Sequence, residues 1–150
     1  MNKSLKVRVK QSGIVKLQFF KDLPDGNLFI AEGMKDVPFD IKRIYFINNL
    51  ANPKALRGKH AHKKLEQVLF CINGSFVLHL DDGHDTQRIT LNDPAVGIRL
   101  GPCLWHTMSS FSYDCVILVL ASDRYDELDY IRDYKSFVSY VREHNSVLAE

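Results

Sequence analysis

The sequence predicts an all-β fold, an antiparallel sandwich or barrel with a short C-terminal helix. Three observations carry that expectation. Short apolar runs recur along the chain, cut by Gly, Pro, Asn and Asp clusters at roughly the eight-to-twelve-residue spacing of small β domains. Several runs alternate, with Phe76, Leu78 and Leu80 on one side and Val77 and His79 on the other, then Ile89 and Leu91 against Arg88 and Thr90, the period of a half-buried strand. Helical spacing appears only near the end, at Ile131, Tyr134, Phe137 or Val138, and Val141, with Asp133 placed to cap it.

In chain order, "LKVRV" (5–9), "IVKLQFF" (14–20), "NLFIAE" (27–32) and "IKRIYFI" (41–47) read as strands. "QVLFCI" and "SFVLHL" flank Asn73-Gly74, the dipeptide that suits a tight hairpin turn. "SFVLHL" and "TQRITL" flank "DDGHD", where Gly83 tolerates positive φ, and "AVGIRL" lies between "NDP" and "GP". "CVILVLAS" is apolar throughout, as a strand buried on both faces would be. No repeat, linker or low-complexity tract interrupts the chain, and residues 1–150 read as a single domain.

Composition narrows the function. The chain has 150 residues, 45% hydrophobic and 25% charged, with a formal net charge of +2. Its cations are dispersed, so there is no electrostatic case for nucleic acid or an acidic membrane surface. The N-terminal stretch has no apolar core of the signal-peptide kind and no long apolar run follows. Cys71, Cys103 and Cys115 are odd in number, without CxxC spacing. The expectation is a reduced, cytoplasmic protein.

The chemistry concentrates in "RGKHAHKK" (57–64). On a strand, His60 and His62 point to one face, and paired inward imidazoles need partners that packing alone does not supply. His106 follows "GPCLW". This order resembles the two cupin motifs, a hairpin with H-x-H plus a carboxylate and a later P-x-G-x-x-H. Here Gln67 stands where metal-binding cupins usually carry Glu, and Cys103 replaces the second motif's glycine. Three imidazoles suit a transition metal, but without the carboxylate and beside Lys59, Lys63 and Lys64 the expectation is no metal. Arg57 and these lysines favour an anionic ligand.

"PFDIKRIYFI", "RGKHAHKKLEQVLFCINGSFVLHLDDG", "WHTMSSFS" and "LVLASDRYDELDYIRDYKSF" together resemble the WxcM-like nucleotide-sugar 3,4-ketoisomerases of the cupin superfamily, across residues 27–137. The resemblance implies a cupin jelly-roll barrel. It also implies isomerisation of dTDP-4-keto-6-deoxyglucose without a cofactor, toward 3-amino-3,6-dideoxyhexoses of bacterial surface glycans. The partner it implies is a second copy, in a homodimer with exchanged N-terminal strands. Carried over, His60 and His62 are the catalytic pair, Arg57 binds substrate, and Trp105 and His106 line the barrel nearby. Tyr45, Asn48 and Gln67 complete the expected substrate-binding set, although Phe46 and Asn48 stand where the family places tyrosines and Asp25-Gly26 where Arg-Gly is expected. Since His62 lies deeper along the strand, the expected division gives His62 the carbon proton and His60 the oxygen side. The rival readings are a dTDP-sugar 3,5-epimerase, a metal-dependent cupin and a non-catalytic sugar-nucleotide-binding module.

Overall fold

The structure is a computed structural model that describes residues 5–147, with side chains described through residue 144. The first strands are β1 (Ser12–Lys16), β2 (Gln18–Asp22), β3 (Gly26–Ile30) and β4 (Arg43–Ile47). Then come β5 (Arg57–His62), β6 (Gln67–Asn73), β7 (Phe76–Asp81) and β8 (Thr86–Leu91). The last are β9 (Val96–Leu100), β10 (Trp105–Ser109), β11 (Val116–Ala121) and β12 (Tyr130–Ile131), with one 3₁₀ turn at Glu127–Asp129 and the helix α1 (Tyr134–Val147). "LKVRV" forms no strand, and β10, whose WHTMS shows no clear apolar alternation, and the two-residue β12 are additions to the sequence reading.

All strand pairs are antiparallel. One sheet runs β1-β9-β6-β11-β4 and the other β12-β5-β10-β7-β8, while among the described residues β2 and β3 pair only with each other. The expected barrel is therefore a jelly-roll-like sandwich that does not close. β4 and β12 are edge strands, and no ladder joins them among the described residues.

Between the sheets lies the main core, with Leu69, Ile98, Ile117 and Val119 facing Leu78, Leu80, Ile89 and Met108. β6 and β11 are apolar on both faces for a reason: Val68, Phe70 and Leu120 pack outward against Val37 and Phe39. Outside the second sheet, α1 lays Phe137 and Val141 over Ala61 and Ile131. Asp133 caps the helix as expected, accepting from the Ser136 backbone N–H and hydroxyl. Ala61 sits between the two histidines in sequence and points the opposite way, so the helix braces the histidine strand from behind.

Candidate active site

The unclosed side of the sandwich holds a cavity of about 380 Å³. Arg43, Tyr45 and Ile47 line it from β4, Arg57, Gly58 and His60 from β5, His106 and Met108 from β10, and Tyr130 and Arg132 from β12 and the residue after it. Leu69 forms its apolar floor.

A bulge aims His60. Gly58 and Lys59 both have positive φ, 80° and 58°, and the β5–β10 register slips there, with His106 opposite His60 but Thr107 opposite Gly58. A Cβ on Gly58 would lie 2.9 Å from the His106 carbonyl oxygen, so glycine is required by conformation and by space. The turn brings the Gly58 carbonyl within 3.0 Å of His60 Nδ1. Nδ1–H donating there leaves Nε2 with its lone pair free. The second cupin-motif position shows the same geometry: Cys103, standing where the motif has glycine, has φ 59°.

His62 shares the face but not the cavity lining. Its ring meets His60 edge-on at 4.9 Å between centroids, and Tyr130 lies 4.3 Å away on another side. Its Nδ1 lies 3.0 Å from Asp129 Oδ2, while Nε2 is buried without a hydrogen-bond partner. His106 is packed 4.6 Å from His60, ring to ring, and its Nδ1 is likewise unpartnered.

Burial sets the protonation of this cluster. It pulls His60 down from the usual imidazole range and His106 well below it. His62 falls to about 4, from burial first and the neighbouring His60 charge second, with Asp129 opposing both. All three rings are therefore neutral and able to accept a proton at pH 7. Tyr45 is pushed up to about 12, chiefly by burial, and its hydroxyl donates to Gln67 Oε1 at 2.7 Å.

The remaining expected residues separate. Arg57, Tyr45 and His106 border the cavity. Gln67 is buried beside it and holds the Tyr45 phenol. Asn48 is exposed beyond the end of β4 and does not line the cavity, because alternation turns Arg43, Tyr45 and Ile47 inward and Phe46 outward. Trp105 faces the helix, its ring 5.6 Å from Phe137 and 5.4 Å from Tyr134, since its neighbour His106 takes the inward position. Sequence reasoning missed Arg43, Asp129, Tyr130 and Arg132. The last three lie in "YDELDYIRDY", which carried the resemblance without any chemistry assigned, because the Asp129–His62 contact spans 67 residues and leaves no local spacing. Among the described residues no three His, Cys, Asp or Glu side chains converge to hold a metal.

The chain matches the family described as "FdtA: WxcM-like, C-terminal" over residues 10–142. It belongs to that family. A TDP-4-oxo-6-deoxy-alpha-D-glucose-3,4-oxoisomerase from Aneurinibacillus thermoaerophilus is 53% identical to this WxcM-like chain over 128 residues, 84% of this chain and 91% of the relative. The crystal structure of QdtA, a sugar 3,4-ketoisomerase from Thermoanaerobacterium thermosaccharolyticum in complex with TDP, superimposes with a TM-score of 0.87 at 42% identity, covering 91% of this chain and 98% of QdtA. WlaRB, a TDP-quinovose 3,4-ketoisomerase from Campylobacter jejuni, superimposes at 0.82 with 44% identity, covering 87% and 99%.

Proposed function

We propose that this protein is a TDP-sugar 3,4-ketoisomerase acting on TDP-4-keto-6-deoxyglucose. The observation that carries the reading is a neutral histidine, its tautomer fixed by the Gly58 carbonyl, at the wall of a cavity edged by Arg43, Arg57 and Arg132. Arg43 and Arg57 suit a diphosphate, which guanidinium groups grip through paired hydrogen bonds, while Arg132 is engaged bidentately by Glu127 at 2.6 and 2.9 Å. The sugar then lies toward the histidines.

The reaction moves a ketone without net oxidation. A base removes the C3 proton, acidified by the C4 carbonyl, and the resulting enediolate is held by hydrogen-bond donors. A proton returns at C4 while the O3 hydroxyl hydrogen is transferred to O4's side, so atoms and electrons balance. His60 is assigned the carbon proton, because His60 and not His62 borders the cavity. That reverses the division expected from the strand: the bulge tips His60 toward the opening, and Tyr130 covers His62. His62 takes the oxygen side. Its Nε2 lacks the partner a buried nitrogen needs, and its ring lies next to that of His60, 4.9 Å between centroids.

No metal enters this proposal, since Gln67 offers an amide where metal-binding cupins have a carboxylate, and that amide is engaged by Tyr45. The working unit is a homodimer in which β2 and β3, which among the described residues pair with each other and with no third strand, are exchanged. No helix among the described residues is long and apolar enough to cross a membrane, and three free cysteines fit a reducing cytoplasm. The test is incubation with TDP-4-keto-6-deoxyglucose, trapping by a 3-aminotransferase, and NMR of the amino sugar. A 3-amino product supports the reading; unchanged 4-keto sugar, or inversion at C3 or C5, overturns it.

A further inference from the structure

We infer that Asp129 is a positioning residue that sets the tautomer of His62 and carries the counter-charge when that ring is protonated. The inference rests on the isomerase reading and extends it to a residue outside the cavity wall.

Asp129 is held on several sides. Its Oδ1 accepts from the Lys64 backbone N–H at 2.8 Å, and its Oδ2 from the Leu65 N–H at 3.2 Å. Its own carbonyl accepts from the Lys63 N–H at 2.9 Å. The carboxylate is thus locked onto the turn that immediately follows the histidine strand, and its position relative to His62 is set by backbone rather than by a free rotamer. With both oxygens accepting, the group facing them must be a donor, so His62 carries its proton on Nδ1 and leaves Nε2 bare.

The three imidazoles differ in what stands behind them. His60 has a neutral carbonyl, the His106 Nδ1 has no partner, and His62 has a carboxylate. A proton on His62 or His106, both 3% exposed, makes a buried cation, which is costly unless paired. Only the His62 position pairs it. Asp129 therefore raises the basicity of Nε2 where burial alone would abolish it, and it acts through His62 without touching substrate.

A purely structural role predicts something else. Asp129 would then pin the turn to the 3₁₀ segment, and its loss would cost stability whatever residue stood at 62. Imidazole ¹⁵N NMR on the resting wild-type protein separates the two. His62 in the Nδ1–H form is expected, and the Nε2–H form overturns the inference without any appeal to activity. Asp129→Asn should shift that tautomer and lower kcat within the roughly 10²- to 10⁴-fold that general acid–base catalysis supplies, with KM within about two-fold. Made in the His62→Asn background, the same change should cost kcat nothing further, because residues acting as a unit are non-additive. An equal loss in both backgrounds, or an unshifted tautomer with unchanged kcat, overturns it. Should Asp129→Asn fail to fold, the wild-type tautomer still decides. If wild-type protein leaves TDP-4-keto-6-deoxyglucose unchanged, the isomerase reading fails while the NMR result on Asp129 stands by itself.

Discussion

At the scale of single residues, the site differs from its sequence pattern by one rotation. The strand reading makes His62 the deeper ring and the carbon base, whereas the Gly58–Lys59 bulge leaves His60 facing the cavity and His62 backed onto a carboxylate. His60→Asn should therefore abolish deuterium incorporation at C3 in D₂O, while His62→Asn slows turnover but keeps measurable C3 exchange. Exchange lost in His62→Asn and retained in His60→Asn would restore the opposite assignment. The depressed imidazoles also fix a pH dependence. An unfolded histidine titrates near 6.5, while in the fold His60 and His106 lie lower and His62 near 4. Between those values the unfolded chain binds more protons, so this stability is complete above about pH 6.5 and is lost as pH falls toward 4. Urea midpoints at descending pH should drop across that window, and the acid limb of kcat/KM should lie below 6.5. A limb at or above 7 would mean that the working base is not in this buried cluster.

At the scale of elements, most strands were legible, because alternation and Gly-containing turns are local signals. Mixed-polarity β10 and two-residue β12 were not, and with them went Trp105's true orientation and the whole contribution of Tyr130. A two-residue strand has no period to read; β12 exists because Tyr130 and Ile131 pair with His62 and Ala61. The helix was legible from its spacing, but not its purpose. Phe137 is fully buried behind β5, in contact with the cluster that includes Ala61 and Ile131. Phe137→Ala should cost about 3–5 kcal/mol, the usual range for emptying an aromatic core site, read as a lowered melting temperature. Because the cavity it leaves lies directly behind the histidine strand, kcat should fall at temperatures where the variant is still folded. Unchanged kcat in folded Phe137→Ala would show that α1 stabilises the fold without aligning β5.

At the scale of the whole molecule, the unsolved surface is the β2–β3 hairpin. Phe19 and Phe29 stack across it at 4.9 Å, yet Phe20 and Leu28 are each 54% exposed and Leu23 67%. On β4, inward Arg43, Tyr45 and Ile47 leave Ile44 and Phe46 outward, 64% and 65% exposed. An isolated two-stranded hairpin is marginal in water, and burial of apolar surface at roughly 25 cal/mol/Å² is the term that would hold it. A second copy of the chain supplies such a surface without any new partner, since a two-fold axis presents the same patches to each other. The expected particle therefore has twice the 17.2 kDa chain mass by light scattering. Phe20→Asp combined with Phe46→Asp should shift it toward monomer, because each places a charge in an interface with no partner. Amide exchange distinguishes exchanged strands from simple apposition. If β2 and β3 pair with the partner, their amides are protected in the wild-type dimer and exposed in the double variant, while β6 and β11 stay protected in both. A wild-type monomer at micromolar concentration, or a dimer whose β2 and β3 amides exchange freely, would remove strand exchange from the assembly.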